Sequence, residues 1–168
     1  MTTGVVTIRQ VIVEDAAELL AWFASIQGDA GLVGRDTLPT LQEEREWLKP
    51  RVEGIRAISY VAVGANGIIG MAGLEARPRS KTNHCATLSI SLSPGFRGQN
   101  IGTRLMEHLH AWVRNHEVVE RIQLEVLSTN PGAIRFYERL GYTHEGRRID
   151  AIRRDGESID LIQMSLVP

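Results

Sequence analysis

The chain has 168 residues, 43% of them hydrophobic and 23% charged, with a net charge of −1. That describes one folded domain of ordinary size; it excludes a disordered chain and removes the global electrostatic case for nucleic acid or an anionic membrane as partner. No apolar run approaches the roughly 20 residues needed to cross a bilayer, no secretory leader is evident, and the single cysteine, Cys85, cannot form an internal disulfide, so the expected setting is a reducing cytoplasm.

Residues 5–13, "VVTIRQVIV", alternate and are rich in β-branched side chains, which predicts a first strand. A helix follows over residues 14–27, with Leu19, Leu20, Phe23 and Ile26 at helical spacing. Gly, Asp and Pro make residues 28–39 a loop. Thr40 with Glu43 three residues on forms a capping-box signature, so a second helix starts there and is expected to stop near Pro50. Residues 57–77 read as two strands around a turn at Ala65-Asn66-Gly67. A fourth strand, "CATLSISLSP", sets Leu88, Ile90 and Leu92 against Thr87, Ser89 and Ser91.

A glycine-bearing loop then runs into a helix striped by Ile101, Leu105, Leu109, Trp112 and Val113. "ERIQLEVL" alternates as a fifth strand, with Gln123 and Glu125 on its polar face. Asn130 as N-cap and Pro131 at the first helical position open a fourth helix, which ends at Gly141. Two final strands turn at Arg154-Asp155-Gly156-Glu157. Seven strands and four helices in the order βααβββαβαββ indicate an α/β (α+β) fold, a mixed sheet covered by helices. No linker or repeat divides the chain, so residues 1–168 form a single domain.

The loop Arg97-Gly98-Gln99-Asn100-Ile101-Gly102-Thr103 poses the functional question. It lacks the lysine of a Walker loop and the third glycine of a dinucleotide fingerprint. Free N–H groups at a helix start, Gly98 and Gly102 without side chains, Asn100 tolerant of left-handed angles and the charge of Arg97 would suit a pyrophosphate. An ordinary strand-to-helix connection fits the loop equally well. Downstream, Asn130 and Tyr137 stand seven residues apart and share a helical face. Taken alone, that pattern is a cap and a packed aromatic.

Together, "SISLSPGFRGQNIGTRLMEHLHAWV" and "LEVLSTNPGAIRFYERLGYTHEG" resemble the two acetyl-CoA motifs of the GNAT superfamily of N-acyltransferases. Asn100 stands where the family usually has its first motif glycine. The resemblance implies a mostly antiparallel sheet and acetyl-CoA as co-substrate, with no metal. It implies that the backbone of Ile90, Ser91 and Leu92 pairs with the pantetheine arm, that the N–H groups of Arg97, Gly98, Gln99, Asn100, Ile101, Gly102 and Thr103 hold the pyrophosphate, and that Asn130 bonds the cofactor. It places Tyr137 at the sulfur as general acid for the departing thiolate. Glu125 is then the first candidate for the base that frees the acceptor amine, or for a group that holds the amine without titrating; Glu75 is the second.

The acceptor expected from these features is a small primary amine, such as an amino acid. A protein N-terminus and a non-catalytic acyl-CoA sensor are the alternatives, and a homodimer is compatible with the resemblance. The segment 28–40, the early helices and the last hairpin are expected to contact the acceptor. The five histidines show no metal-ligand spacing and are read as mostly surface residues. Cys85, Trp22, Phe23 and Trp47 are read as core. The arginines at 147–148 and 153–154 are read as a solvated hairpin.

Overall fold

The computed structural model describes residues 5–27 and 37–168. Its elements are β1 (Thr7–Gln10), α1 (Ala16–Ile26), α2 (Leu41–Glu53), β2 (Ala57–Gly64), β3 (Gly67–Ala76), β4 (Cys85–Leu92), α3 (Ile101–Arg114), β5 (Arg121–Leu127), α4 (Pro131–Arg139), β6 (Thr143–Arg154) and β7 (Glu157–Leu166). The strands form one sheet in the order β1-β2-β3-β4-β5-β7-β6. Every neighbouring pair is antiparallel except β4 and β5. The element order read from the sequence is the order observed.

Two expected boundaries move by three residues, the others by less. The first strand ends at Gln10 rather than Val13. Asp15 causes this: its carboxylate accepts from the Ile12 N–H at 2.9 Å and from both terminal nitrogens of Arg9 at 2.8 and 2.7 Å, which turns the chain into a short 3-10 segment, Val13–Asp15, ahead of α1. The second helix does not stop near Pro50 but continues to Glu53. Pro50 forgoes its own N–H bond and crowds the carbonyl four residues back, but the chain keeps helical geometry for one more turn, and Gly54, in the left-handed region, donates its N–H back to the Pro50 carbonyl at 3.2 Å. The start of α2 is as expected, with Thr40 and Glu43 completing a reciprocal capping box.

Helices cover both faces of the sheet. Leu19, Trp22 and Ile26 of α1 and Leu48 of α2 pack on Val61, Ile68 and Met71. On the opposite face, Leu105, Met106 and Leu109 of α3 pack with Leu74, Leu88, Ile122, Leu124 and Tyr137. At roughly 1.5–3 kcal/mol per fully buried large apolar side chain, this second cluster is the main stabilising unit. Cys85 and Trp22 are buried as expected, while Phe23 and Trp47 are only half-buried. Trp22 also ties α1 to the exit of β4, its indole N–H donating to Ser93 Oγ at 2.8 Å.

The one parallel pair is short. Registered partners run only from Cys85–Arg121 to Thr87–Gln123, after which β4 and β5 part. Beyond Thr87, the β5-facing edge of β4 has no strand partner among the described residues, and a wedge opens through the sheet.

Candidate active site

The wedge leads into a cleft of about 1130 Å³ that reaches both faces of the sheet. Of the residues expected at the site, Ile90, Ser91, Leu92, Arg97, Gly98, Asn100, Ile101, Gly102, Thr103, Glu125, Asn130 and Tyr137 all line it. Gln99 does not; its side-chain amide instead donates to the Gly95 carbonyl at 3.0 Å and braces the loop. Glu75, the second candidate base, is not among the lining residues and forms an ion pair with Arg51.

Three features shape the loop. Gly98 has φ +74°, and a Cβ built on it would meet no atom of the described residues within 4 Å. Its glycine therefore serves backbone conformation and open space. Asn100 has φ 62° and ψ 7°, the left-handed geometry expected of it, and makes no side-chain cap to α3. Gly102 lines the cleft as expected and has a packing function as well. Its Cβ would lie 3.3 Å from the Phe136 ring, so the missing side chain also lets α3 approach α4.

The Arg97 N–H, expected in the cradle, is instead donated to the Pro94 carbonyl at 3.3 Å, closing a short 3-10 turn; among the described residues, no N–H from 98 to 103 donates to another group of the chain, and the first helical bond at this end is from Arg104 to Asn100, at 3.2 Å. Six donors without a partner among the described residues, at the positive end of a 14-residue helix, form a candidate anion cradle.

At the other side of the cleft, Asn130 Oδ1 accepts from the Ala133 N–H at 3.1 Å. Its capping reading is thus realised, and its amide nitrogen is the group left for a ligand. Tyr137 is 7% exposed. Its ring packs against Phe136 and Tyr142, with centroids 5.3 and 5.6 Å away, and its hydroxyl makes no hydrogen bond within the described residues. Burial pushes this phenol up to about 12. Behind it, Tyr142 is buried and also raised by burial, with its hydroxyl 3.2 Å from His110 Nε2. His110 is therefore half-buried, not a surface residue, and burial lowers its pKa. No His, Cys, Asp or Glu grouping among the described residues could hold a metal ion.

The face of the sheet toward α1 and α2 is polar where those helices end. Register places Thr87 beside Gln123, Gln123 beside Ser165, and Glu125 beside Gln163. Glu125 Oε1 accepts from Arg148 at 2.9 Å and from Gln163 at 3.3 Å, leaving Oε2 without a donor among the described residues. Arg148 is exposed on the hairpin, as read from the sequence, and also pairs with Glu125. Arg77, Gln123, Phe136, Arg139 and Gln163 also line the cleft. Phe136 lay within the recognised motif, but Arg77 and Gln163 carried no local signal. Residues 28–36, most of the segment expected to contact the acceptor, lie outside the described residues.

The profile of the Acetyltransferase (GNAT) family matches residues 19–142. The chain belongs to this family. The L-amino acid N-acetyltransferase AaaT of Escherichia coli (strain K12) is 26% identical over 100 residues, 60% of this chain and 62% of that protein. Across the first curated relatives the chain spans between 46% and 68% of their length. Among solved structures, the GNAT-family acetyltransferase from Streptococcus pneumoniae superposes with a TM-score of 0.92 at 24% identity, over 98% of this chain and all of that one (100%). The Salmonella typhimurium yncA structure with its cofactor acetyl-CoA gives 0.85 at 20% identity, over 96% of this chain and 93% of that one. At these identities the likeness is one of fold, and it extends well beyond the matched motifs.

Proposed function

We propose that this GNAT-family chain transfers an acetyl group from acetyl-CoA to the primary amine of a small molecule, directly within a ternary complex. The observation that carries this reading is a single cleft with an anion cradle at one end, a buried unpaired phenol at its centre and an anchored carboxylate at the other. The acetyl-CoA complex of the structural relative and the amino-acid activity named for the E. coli relative support it.

The residues present fit the co-substrate. Gly98 leaves open space, and the six free N–H groups of residues 98–103 offer donors to its pyrophosphate. The unpaired edge of β4 at Ile90, Ser91 and Leu92 offers main-chain groups to the pantetheine arm in the manner of an added strand, and the Asn130 amide nitrogen offers one more donor. The thioester supplies the activated acetyl group.

Tyr137 would donate to the departing sulfur. Its pKa of about 12 keeps it a phenol throughout the neutral range. Full transfer of its proton to a thiolate of ordinary pKa near 8.5 would be roughly 5 kcal/mol uphill. The burial that keeps Tyr137 protonated thus makes it a hydrogen-bond donor first, stabilising the thiolate as it forms. Glu125 would receive the acceptor amine at its free Oε2, with Arg148 and Gln163 holding Oε1, and would take up or relay the proton that the amine must lose. The single buried thiol, Cys85, suits a cytoplasmic setting.

The test is Tyr137→Phe. Acetyl-CoA binding by calorimetry should stay within about twofold, while amine-dependent CoA release falls by about 100-fold or more. Unchanged turnover removes Tyr137 from the mechanism. Tight acetyl-CoA binding with no CoA release across a broad panel of amines would replace the enzyme by a sensor.

A further inference from the structure

The acceptor side of the cleft contains an unneutralised positive charge. Three ion pairs flank this face: Arg51 with Glu75, Arg121 with Glu145, and Arg148 with Glu125. Each balances itself. Arg77, which directly follows β3 and lines the cleft, has no carboxylate partner among the described residues. It is nevertheless held in place. With the Gln123 amide oxygen turned toward it, the orientation that two guanidinium donors require, Gln123 accepts from Arg77 Nε at 2.8 Å and from Nη2. A neutral amide orients the guanidinium without cancelling its charge.

The position is also specific. Arg77 meets Gln123, and Gln123 pairs in register with Thr87, the last residue of β4 to have a β5 partner. From Thr87 to Leu92, where β4 ends ahead of the anion cradle, is about 17 Å of strand. Arg77 is thus out of reach of the pyrophosphate. Glu125 lies two residues beyond Gln123 on the same face of β5, roughly 7 Å along the strand. A free carboxylate oxygen and a free cation separated by this distance suit a ligand with both charges. An amino acid, with one charge-assisted hydrogen bond of about 2.8 Å at each end, spans a comparable length.

We infer that Arg77 is the receptor for the carboxylate of the acceptor, and that the acceptor is therefore a free amino acid, its ammonium on Glu125 and its carboxylate on Arg77. The inference rests on the acetyl-transfer reading and specifies its substrate. An amine without the carboxylate, such as an amide or the N-terminus of a peptide, leaves Arg77 facing no anion.

The experiment compares the twenty L-amino acids with their matching amides as acceptors, for the wild type, Arg77→Ala and Arg77→Lys, reading CoA release. In the wild type the best free acid should exceed its amide at least tenfold in kcat/KM. Arg77→Ala should reduce that acid-to-amide ratio at least tenfold, through KM rather than kcat, and Arg77→Lys should recover part of it. Equal use of acid and amide by the wild type, or an equal loss for both in Arg77→Ala, overturns the inference while leaving acetyl transfer intact. If no acceptor is turned over, calorimetry of the same amino acids on the CoA-loaded protein decides separately. Binding that is lost in Arg77→Ala sustains the receptor, and absence of binding overturns it.

Discussion

The two ends of the cleft are built from different materials. The cradle at residues 98–103 is made of main-chain N–H groups at one helix start, shaped by the left-handed conformations of Gly98 and Asn100. The proposed acceptor side is made of side chains from β5, β6, β7 and the end of β3, each oriented by another: Gln123 on Arg77, Arg148 and Gln163 on Glu125. A main-chain site is specified locally and tolerates side-chain change so long as the conformation survives. A side-chain site is specified by sheet register, and single substitutions alter its chemistry.

The comparison breaks most decisively at Gly98. Asp tolerates left-handed angles, so Gly98→Asp keeps the loop and sets a negative charge in the cradle. Acetyl-CoA affinity should fall by about 100-fold, with little change in melting temperature. If affinity holds, residues 98–103 are not the pyrophosphate site. Glu125→Gln probes the other end. Acceptor kcat/KM should fall about tenfold or more while acetyl-CoA affinity stays constant. A rising pH limb identical to that of the wild type would mean that Glu125 holds the amine without titrating.

Gly102→Ala should separate the two glycines of the loop. Its Cβ crowds Phe136, so the expected cost is about 1 kcal/mol of stability, seen as a melting temperature lower by roughly 2–4 °C, with cofactor affinity retained. The smallest effect belongs to Asn100→Gly. Because Asn100 already has φ 62° and makes no side-chain cap, acetyl-CoA affinity should change by less than about twofold. A larger loss would reveal a ligand contact for the Asn100 side chain.

This difference in construction also explains what could be read without coordinates. The β4–α3 loop and the Asn130-to-Tyr137 helix were legible because capping, left-handed backbone and helical spacing operate over a few residues. Glu125 was legible as the polar position of an alternating strand. The packing function of Gly102 was not legible because its neighbour, Phe136, lies 34 residues further along the chain. The pairing of exposed Arg148 with Glu125 was not legible because the two stand 23 residues apart, and Arg77 carried no local signal at all.

The sequence by itself determined the element order, the candidate anion cradle and the candidate phenol, which follow from short-range backbone preference and periodicity, and its two motif segments carried the family. Only the tertiary structure decided where β4 and β5 part, which charges on the proposed acceptor face are cancelled and which is left over among the described residues. Those depend on strand register and on pairs formed across the sheet, whose free energies are set by distance and burial rather than by position in the chain.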